Sequence, residues 1–150
     1  MSDLSDLYQE LILDHNRRPR NYGTLADGNR QAKGHNPLCG DRLTVFLKLD
    51  GDRIEDIRFE GSGCAISKAS ASLMTEAVKG RTIPEVAGIF QRFQAMITAP
   101  IDKPAEDPSL GKLTVLGGVR EFPIRIKCAS LPWHTLKAAM AASPDVAVTE

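Results

Sequence analysis

The sequence predicts an α+β fold in which helices pack on one face of a small three-stranded antiparallel sheet. Apolar and polar residues alternate in two neighbouring segments before the middle of the chain, and this period of two is typical of strands. Before and after those segments, apolar residues recur at the spacing of one helical face. The predicted order of helix, strands and helices is that of an α+β domain. The length fits one domain, so we expect residues 1–150 to form a single unit.

The first predicted helix covers residues 3–16. Its apolar face is followed by the cationic pair Arg17-Arg18 and by Pro19, which favour the end of a helix there. The face consists of Leu4, Leu7, Tyr8, Leu11 and Ile12. A polar stretch follows, and residues 29–35 are predicted to form the first, edge strand.

A β-hairpin is predicted in the next part of the chain. Residues 42–49 and 53–60 are its strands, and Asp50-Gly51-Asp52 between them is a typical turn sequence. The apolar alternation of the second strand slips between Ile54 and Ile57, which indicates a β-bulge. With the edge strand, the hairpin completes a sheet of three strands.

Two helices are predicted to follow the hairpin. The first covers about 65–79 and ends at Gly80, because glycine is common just after a helix. The second covers about 84–97 and has Pro84 in its first turn, where proline is tolerated. The prolines of 98–109 predict a loop after it.

The last part of the chain is predicted to contain two shorter helices. Residues 109–117 form the first of them, and residues 122–126 approach the second as an extended segment with alternating apolar residues. Ser130 is the predicted cap of the last helix, which opens on a proline and covers about 132–142. We expect residues 143–150 to be a frayed tail.

Composition and charge argue against a nucleic-acid or membrane partner. The chain has 19 basic and 19 acidic residues and a formal net charge of zero, so it offers no basic excess to polyanions or anionic lipids. Its apolar runs are shorter than the roughly 18 residues that a membrane helix needs. The acidic, polar start of the chain does not resemble a signal peptide, and we expect a cytoplasmic protein.

Three cysteines, Cys39, Cys64 and Cys128, are the candidate functional residues. An odd number cannot all pair within one chain, and a cytosolic protein of this length does not need disulfides. Cys39 falls in a predicted loop before a strand, Cys64 at the start of a helix, and Cys128 just before the cap of the last helix. A helix N-terminus favours the thiolate form that binds metals or carries sulfur. The alternative, that they are buried small apolar residues, fits these boundary positions less well.

Three thiolates leave one ligand position open in a tetrahedral zinc site. Asp41 lies two residues after Cys39 in the same loop and is a candidate for that position. On chemistry alone, His35, Asp27 and other carboxylates remain alternatives. The chain contains no CxxC pair, which excludes a zinc-finger motif, so the spacing by itself is weak evidence for a metal.

Three segments resemble signatures of the IscU/NifU N-terminal family of iron–sulfur cluster assembly proteins. They are PLCGD at 37–41, GSGCAISKASASLM at 61–74 and RIKCASL at 125–131. Each segment contains one of the three cysteines, and the similarity extends over nearly the whole chain.

Within that family, the sequence is most similar to the SufU branch. Lys127 stands where IscU scaffolds carry a histidine before the third cysteine, and residues 122–126 depart from the chaperone-binding stretch of IscU. Residues 87–113 resemble the insertion that distinguishes SufU from IscU.

The resemblance implies a SufE/IscU-like fold with a zinc site formed by Cys39, Asp41, Cys64 and Cys128. It also implies a zinc-dependent sulfurtransferase that accepts persulfide sulfur from a SufS-type cysteine desulfurase. We expect Cys39 to be the acceptor, because a ligand in a loop is freest to move away from the metal. Arg125 is expected to point outward from the extended segment and to contact the desulfurase.

Two other functions remain open from the sequence. The first is a scaffold on which a [2Fe–2S] cluster is assembled before delivery to apo iron–sulfur proteins. If the chain is instead a sulfur donor, such a scaffold would be its downstream partner. The second is a structural zinc domain that binds a partner, which the lack of CxxC pairs disfavours. The missing histidine and the insertion favour sulfur transfer over the scaffold, although both functions use the same ligands.

Overall fold

A computed structural model describes residues 3–102, 107–141 and 147–148 of the chain. The described residues form helices α1 to α4, strands β1 to β4 and one 3₁₀ segment. In chain order these are α1 Asp3–Arg17, β1 Arg30–Asn36, β2 Asp41–Asp50, β3 Arg53–Ser62, α2 Ala65–Val78, α3 Ile83–Ile97, the 3₁₀ segment Pro108–Glu121, α4 Pro123–Met140 and β4 Ala147–Val148.

The sheet has the strand order β3-β2-β1-β4. Strands β1, β2 and β3 are antiparallel neighbours, which confirms the three-stranded antiparallel prediction. The short β4 adds a parallel pairing in which Ala147 and Val148 lie opposite Gly34 and His35. This pairing differs from the frayed tail expected over 143–150, whose other residues lie outside the described part of the chain.

The predicted hairpin and its bulge are both present. Leu49 of β2 pairs with Ile54 of β3, whereas Lys48 pairs with Asp56, so Glu55 is the extra residue on β3. The extra residue restores the phase of the strand, and Ile54 is buried together with Ile57 further along.

Helices cover one face of the sheet, as the sequence predicts. Helix α4 packs across β1 and β2, and α2 packs against β3. Gly34 lets α4 approach closely, since a Cβ atom there would collide with Thr135 Oγ1. The buried residues of the sheet's inner face are Ala32, Leu43, Val45, Leu47, Ile57 and Phe59.

Helices α1, α2 and α3 lie where the apolar periodicity predicts them. The observed ends of all three fall within one residue of the predicted ones. Thr82 and Glu85 form a reciprocal capping box at the start of α3, with Pro84 in its first turn. No helix within the described residues combines the length and hydropathy that a membrane crossing requires.

The prediction of an extended segment at 122–126 is wrong, because helix α4 begins at Pro123. Ser130 is buried inside this helix and is not its cap, and Pro132 lies in its interior. Proline at 132 removes the amide that would bond the carbonyl of Cys128, a cost that normally ends a helix. Burial of the α4 side chains against the sheet and the other helices outweighs that local cost, as in Leu131, Trp133 and Leu136.

Candidate metal site

The four predicted ligands lie in three separate elements whose ends meet at one end of the sheet. Cys39 is half-buried in the turn between β1 and β2, and Asp41 is the buried first residue of β2. Cys64 is the half-buried residue before α2, and Cys128 is fully buried in the second turn of α4. Residues separated by up to 89 positions in sequence are therefore neighbours in space.

Three of the four predicted ligands, Cys39, Asp41 and Cys128, lie at distances suited to one ion, and Cys64 is not part of that group. One sulfur each from Cys39 and Cys128 and a carboxylate oxygen of Asp41 lie within 4.8 Å of one another. Sγ of Cys128 is 3.3 Å from Sγ of Cys39, and Sγ of Cys64 is 3.8 Å from Oδ2 of Asp41. In a tetrahedral site with zinc–sulfur bonds of about 2.3 Å, neighbouring sulfurs are about 3.8 Å apart.

Cys64 is positioned by the start of α2 and by Asp41. Its sulfur accepts a hydrogen bond from the backbone N–H of Ser67 at 3.5 Å and so acts as the N-cap of the helix. Its own backbone N–H donates to Oδ1 of Asp41 at 2.8 Å. The helix N-terminus predicted for this cysteine is confirmed, and its partial positive charge favours a thiolate.

Gly63 makes room for the buried carboxylate of Asp41. A Cβ atom at this position would collide with Oδ1 of Asp41 and would lie 3.0 Å from both Cβ and Cγ of the same residue. Any larger residue at position 63 therefore has to displace the carboxylate that Cys64 N–H contacts.

Cys128 does not lie at a helix N-terminus, contrary to the prediction. It is the sixth residue of α4, because the helix begins at Pro123. Burial raises the pKa of the Cys128 thiol, and its hydrogen bonding with Cys39 and Asp41 raises it further. Without a metal this thiol is protonated at neutral pH, and it can donate to the carbonyl of Ile124 at 3.6 Å.

Of the alternative ligands that the sequence left open, neither His35 nor Asp27 joins the thiols. His35 lies on β1 with its side chain on the sheet face away from the helices, beside Arg42. Asp27 forms an exposed ion pair with Lys48 at 3.0 Å, and this contact lowers the pKa of its carboxyl.

Arg125 lies beside the sulfur of Cys128, but it does so on helix α4 and not on the extended segment that the sequence predicted. It is exposed on the first turn of α4, and its Nη1 atom is 3.9 Å from Sγ of Cys128. The sulfur beside it raises the pKa of the guanidinium, and the Cys64 charge adds to the effect. Phe122 and Ile124, two of the alternating apolar residues on which the prediction of an extended segment rests, are both exposed.

Exposed apolar side chains occur in the segments that carry Cys39 and Cys128. Leu38 is 60% exposed next to Cys39, and Phe122 and Ile124 are 60% and 56% exposed just before Cys128. We call Leu38, Phe122 and Ile124 the apolar rim. Apolar groups this exposed beside a reactive centre are typical of a surface that a partner covers.

Sequence reasoning missed one residue of the site, Asn36. This residue ends β1, is fully buried, and contacts both Cys128 and the turn that carries Cys39. The only signal for it in the sequence is the dipeptide Asn36-Pro37, which is typical of turn initiation.

The donor set itself fits a borderline-soft divalent metal. Thiolates suit zinc and iron–sulfur centres, whereas calcium and magnesium prefer oxygen-only sites. Half-burial of Cys39 leaves one side of the cluster open to a reactant. Fold and site together define an α+β domain with a cysteine-aspartate group that could bind a metal and with Cys39 and Cys64 half-exposed.

Comparison with known proteins identifies the family. Residues 7–129 match the NifU-like N terminal domain, and the chain belongs to that family. It is 44% identical to the zinc-dependent sulfurtransferase SufU of Bacillus subtilis over 93% of both chains. It is 42% identical to the iron–sulfur cluster assembly scaffold protein IscU of Streptococcus pyogenes, over 97% of this chain and 89% of that protein.

A solved structure has the same fold. The N-terminal part of a nitrogen-fixing NifU-like protein from Brucella abortus superposes with a TM-score of 0.81 at 26% identity. The alignment covers 94% of this chain and 96% of that one. The predicted fold class is thereby confirmed.

Proposed function

We propose that this protein is a zinc-dependent sulfurtransferase of iron–sulfur cluster assembly that accepts sulfur from a cysteine desulfurase. The observation that carries the proposal is the group formed by Cys39, Asp41 and Cys128, whose ligand atoms lie within 4.8 Å of one another. The sulfur of Cys64 lies beside the same carboxylate, 3.8 Å from Oδ2 of Asp41. Similarity to a protein named as a zinc-dependent sulfurtransferase supports the same function.

In this proposal Cys39, Asp41, Cys64 and Cys128 hold the zinc. When bound, the metal supplies the positive charge that keeps thiolates deprotonated near neutral pH. Asp41 is the fourth ligand because it is the buried carboxylate within reach of the sulfurs. Cys64 is held at the start of α2 and Cys128 lies inside α4, and both remain in place while Cys39 reacts.

Cys39 is the proposed sulfur acceptor. Cys39 and Cys64 are both half-exposed, whereas Cys128 is buried. Cys64 caps helix α2 with its sulfur, whereas Cys39 lies in a turn between two strands and is freer to move. The Cys39 thiolate attacks the terminal sulfur of the persulfide on the desulfurase. A new S–S bond forms at Cys39, the S–S bond of the donor breaks, and the donor cysteine leaves as a thiolate. One sulfur atom is transferred from the desulfurase to Cys39, and no external oxidant or reductant is required.

The partner is proposed to be a SufS-type cysteine desulfurase that docks on Arg125 and the apolar rim. A persulfide can reach Cys39 only if the donor protein covers the surface around it, and the rim lies on that surface. Arg125 has no carboxylate partner among the described residues, so it is available for a bidentate pair with an acidic group of the desulfurase. The chain is proposed to act as a single domain in the cytoplasm, where thiols stay reduced.

A titration of desulfurase turnover tests this docking surface. Ile124→Ser should weaken activation at least about tenfold and leave the zinc content unchanged, as expected for loss of about 1.4 kcal/mol of binding. Ile101→Ser is the matched control, because Ile101 is 61% exposed in the loop after α3 and lies outside the rim. Equal activation by the two variants would remove the rim from the interface.

The second candidate function is a scaffold for a [2Fe–2S] cluster, passed on to apo iron–sulfur proteins. The similarity to a protein named as an IscU scaffold favours it, and the same four residues would hold the cluster. Elemental analysis and a visible spectrum of freshly purified protein separate the two functions. Stoichiometric zinc in a colourless sample supports sulfur transfer, whereas a brown sample that contains iron supports the scaffold.

A further inference from the structure

Asn36 links one proposed metal ligand, Cys128, to the turn that carries another, Cys39. Its side chain is fully buried, at the point where β1 enters the Cys39 turn. Oδ1 accepts a hydrogen bond from the backbone N–H of Leu38 at 3.2 Å, and Nδ2 donates to Sγ of Cys128 at 3.6 Å. A single amide therefore contacts both the turn that carries Cys39 and the sulfur of Cys128, 92 residues away in sequence.

The orientation of the amide follows from its partners. The Leu38 N–H is a donor, so it requires the oxygen of the Asn36 side chain. The NH₂ group must then face Cys128, and a sulfur atom can accept its proton. The backbone carbonyl of Asn36 also accepts the N–H of Gly40 at 2.8 Å, which closes the same turn.

Charge explains why a buried donor is useful here. With zinc bound, three thiolates and one carboxylate would carry four negative charges, of which the ion would neutralise two. Cys128 is the buried sulfur of the group, and the protein supplies it with two N–H donors, Asn36 and Arg125. Arg125 is exposed and belongs to the proposed docking surface, whereas Asn36 is held inside the protein before and after a partner binds.

We propose that Asn36 is a positioning residue that holds Cys128 and the Cys39 turn in the geometry for metal binding. Its N–H group stabilises the Cys128 thiolate, and its carbonyl group fixes the turn. The inference rests on the proposed zinc site. Substitution of groups that hydrogen-bond to metal ligands typically lowers metal affinity about 10- to 100-fold.

Two substitutions separate the two contacts of the amide. Asn36→Ala removes both contacts and can also weaken the fold. Asn36→Ser keeps a hydroxyl that can accept the Leu38 N–H, as in Ser turns, but is too short to reach Cys128. Asn29→Ser is the matched control, since the Asn29 amide likewise bonds through both its groups, here with Leu49, but at the other end of the sheet.

Zinc affinity is measured by competition with a chromophoric chelator, and cobalt(II) replaces zinc as a spectroscopic probe. Asn36→Ser should bind zinc at least about tenfold more weakly than wild type and shift the sulfur-to-cobalt charge-transfer band. Its metal-free form should melt near the wild-type temperature, and Asn29→Ser should match wild type in affinity and spectrum.

Wild-type affinity and an unshifted cobalt band in Asn36→Ser would overturn the role of the amide. A wild-type protein that binds no zinc would instead refute the proposed function, so the two failures are distinguishable. If Asn36→Ala loses affinity and Asn36→Ser regains it in full, the contact to sulfur is irrelevant and the inference is likewise overturned.

Discussion

Substitution of Gly63 by alanine perturbs the site without removing any ligand. The added methyl group collides with the Asp41 carboxylate, so the carboxylate has to move away from the backbone N–H of Cys64, its partner at 2.8 Å. A hydrogen bond to a buried charged group contributes about 1.5–3 kcal/mol. We therefore expect Gly63→Ala to lower the free energy of unfolding of the metal-free protein by about 2 kcal/mol, or about 4–8 °C in melting temperature.

Urea unfolding in the presence of a chelator measures this change, and zinc competition on the same variant should show weaker affinity. Gly23→Ala is the control, because Gly23 also has a positive φ but a Cβ atom there meets nothing within 4 Å. The control should show only the cost of the backbone strain and bind zinc as tightly as wild type. If Gly63→Ala unfolds at the same urea concentration as Gly23→Ala and binds zinc equally well, the packing of Asp41 against position 63 is not what holds the carboxylate.

Other predictions concern the metal, the cysteines, His15 and Arg125. Removal of zinc should lower the melting temperature by several degrees, because ligands from three elements then lose their common partner; an unchanged melting curve after confirmed metal loss would contradict this. Cys39→Ala should keep the fold but accept no radiolabelled sulfur, whereas Cys64→Ala should lose zinc and stability. If Cys64→Ala keeps the fold and accepts no sulfur while Cys39→Ala loses zinc and stability, the two roles are exchanged. Burial lowers the pKa of His15 below its ordinary 6.5, so below that pH the unfolded chain binds more protons than the folded one. The free energy of unfolding should therefore fall below about pH 6.5, by at most about 1.4 kcal/mol per pH unit from this group. A free energy of unfolding that stays constant between pH 7 and 5 in urea titrations would oppose this. Arg125→Ala should keep zinc and melting temperature but weaken desulfurase activation at least about tenfold, with Arg92→Ala, on the exposed side of α3, as the control.

The sequence predicted those parts of the fold in which local signals and packing agree. The hairpin is an example, because its turn residues and its apolar alternation both point to the same register. Cys64 is another, since the glycine-rich turn before an apolar helical stripe locates a helix start. The resemblance of three short segments to one family added the ligand set, which no spacing argument supplied.

The start of helix α4 was mispredicted because two local signals in the sequence favour other structures there. The alternation of Phe122, Ile124 and Ile126 is typical of a strand, and Pro132 is typical of a helix start. Burial of the helix against the sheet decides the outcome, and that is a tertiary effect. Asn36 could not be identified for a related reason, because its role depends on a contact with Cys128 that exists only in the folded chain.

The proposed function depends above all on Cys39 accepting sulfur from a desulfurase. The most direct test is a single-turnover reaction of the zinc-loaded protein with a SufS-type desulfurase and radiolabelled cysteine, followed by mass spectrometry of the peptide that contains Cys39. We predict one added sulfur atom on Cys39, none on Cys64 or Cys128, and no label on the Cys39→Ala variant. Label on Cys128 or Cys64, or no label on the wild-type protein, would contradict the claim.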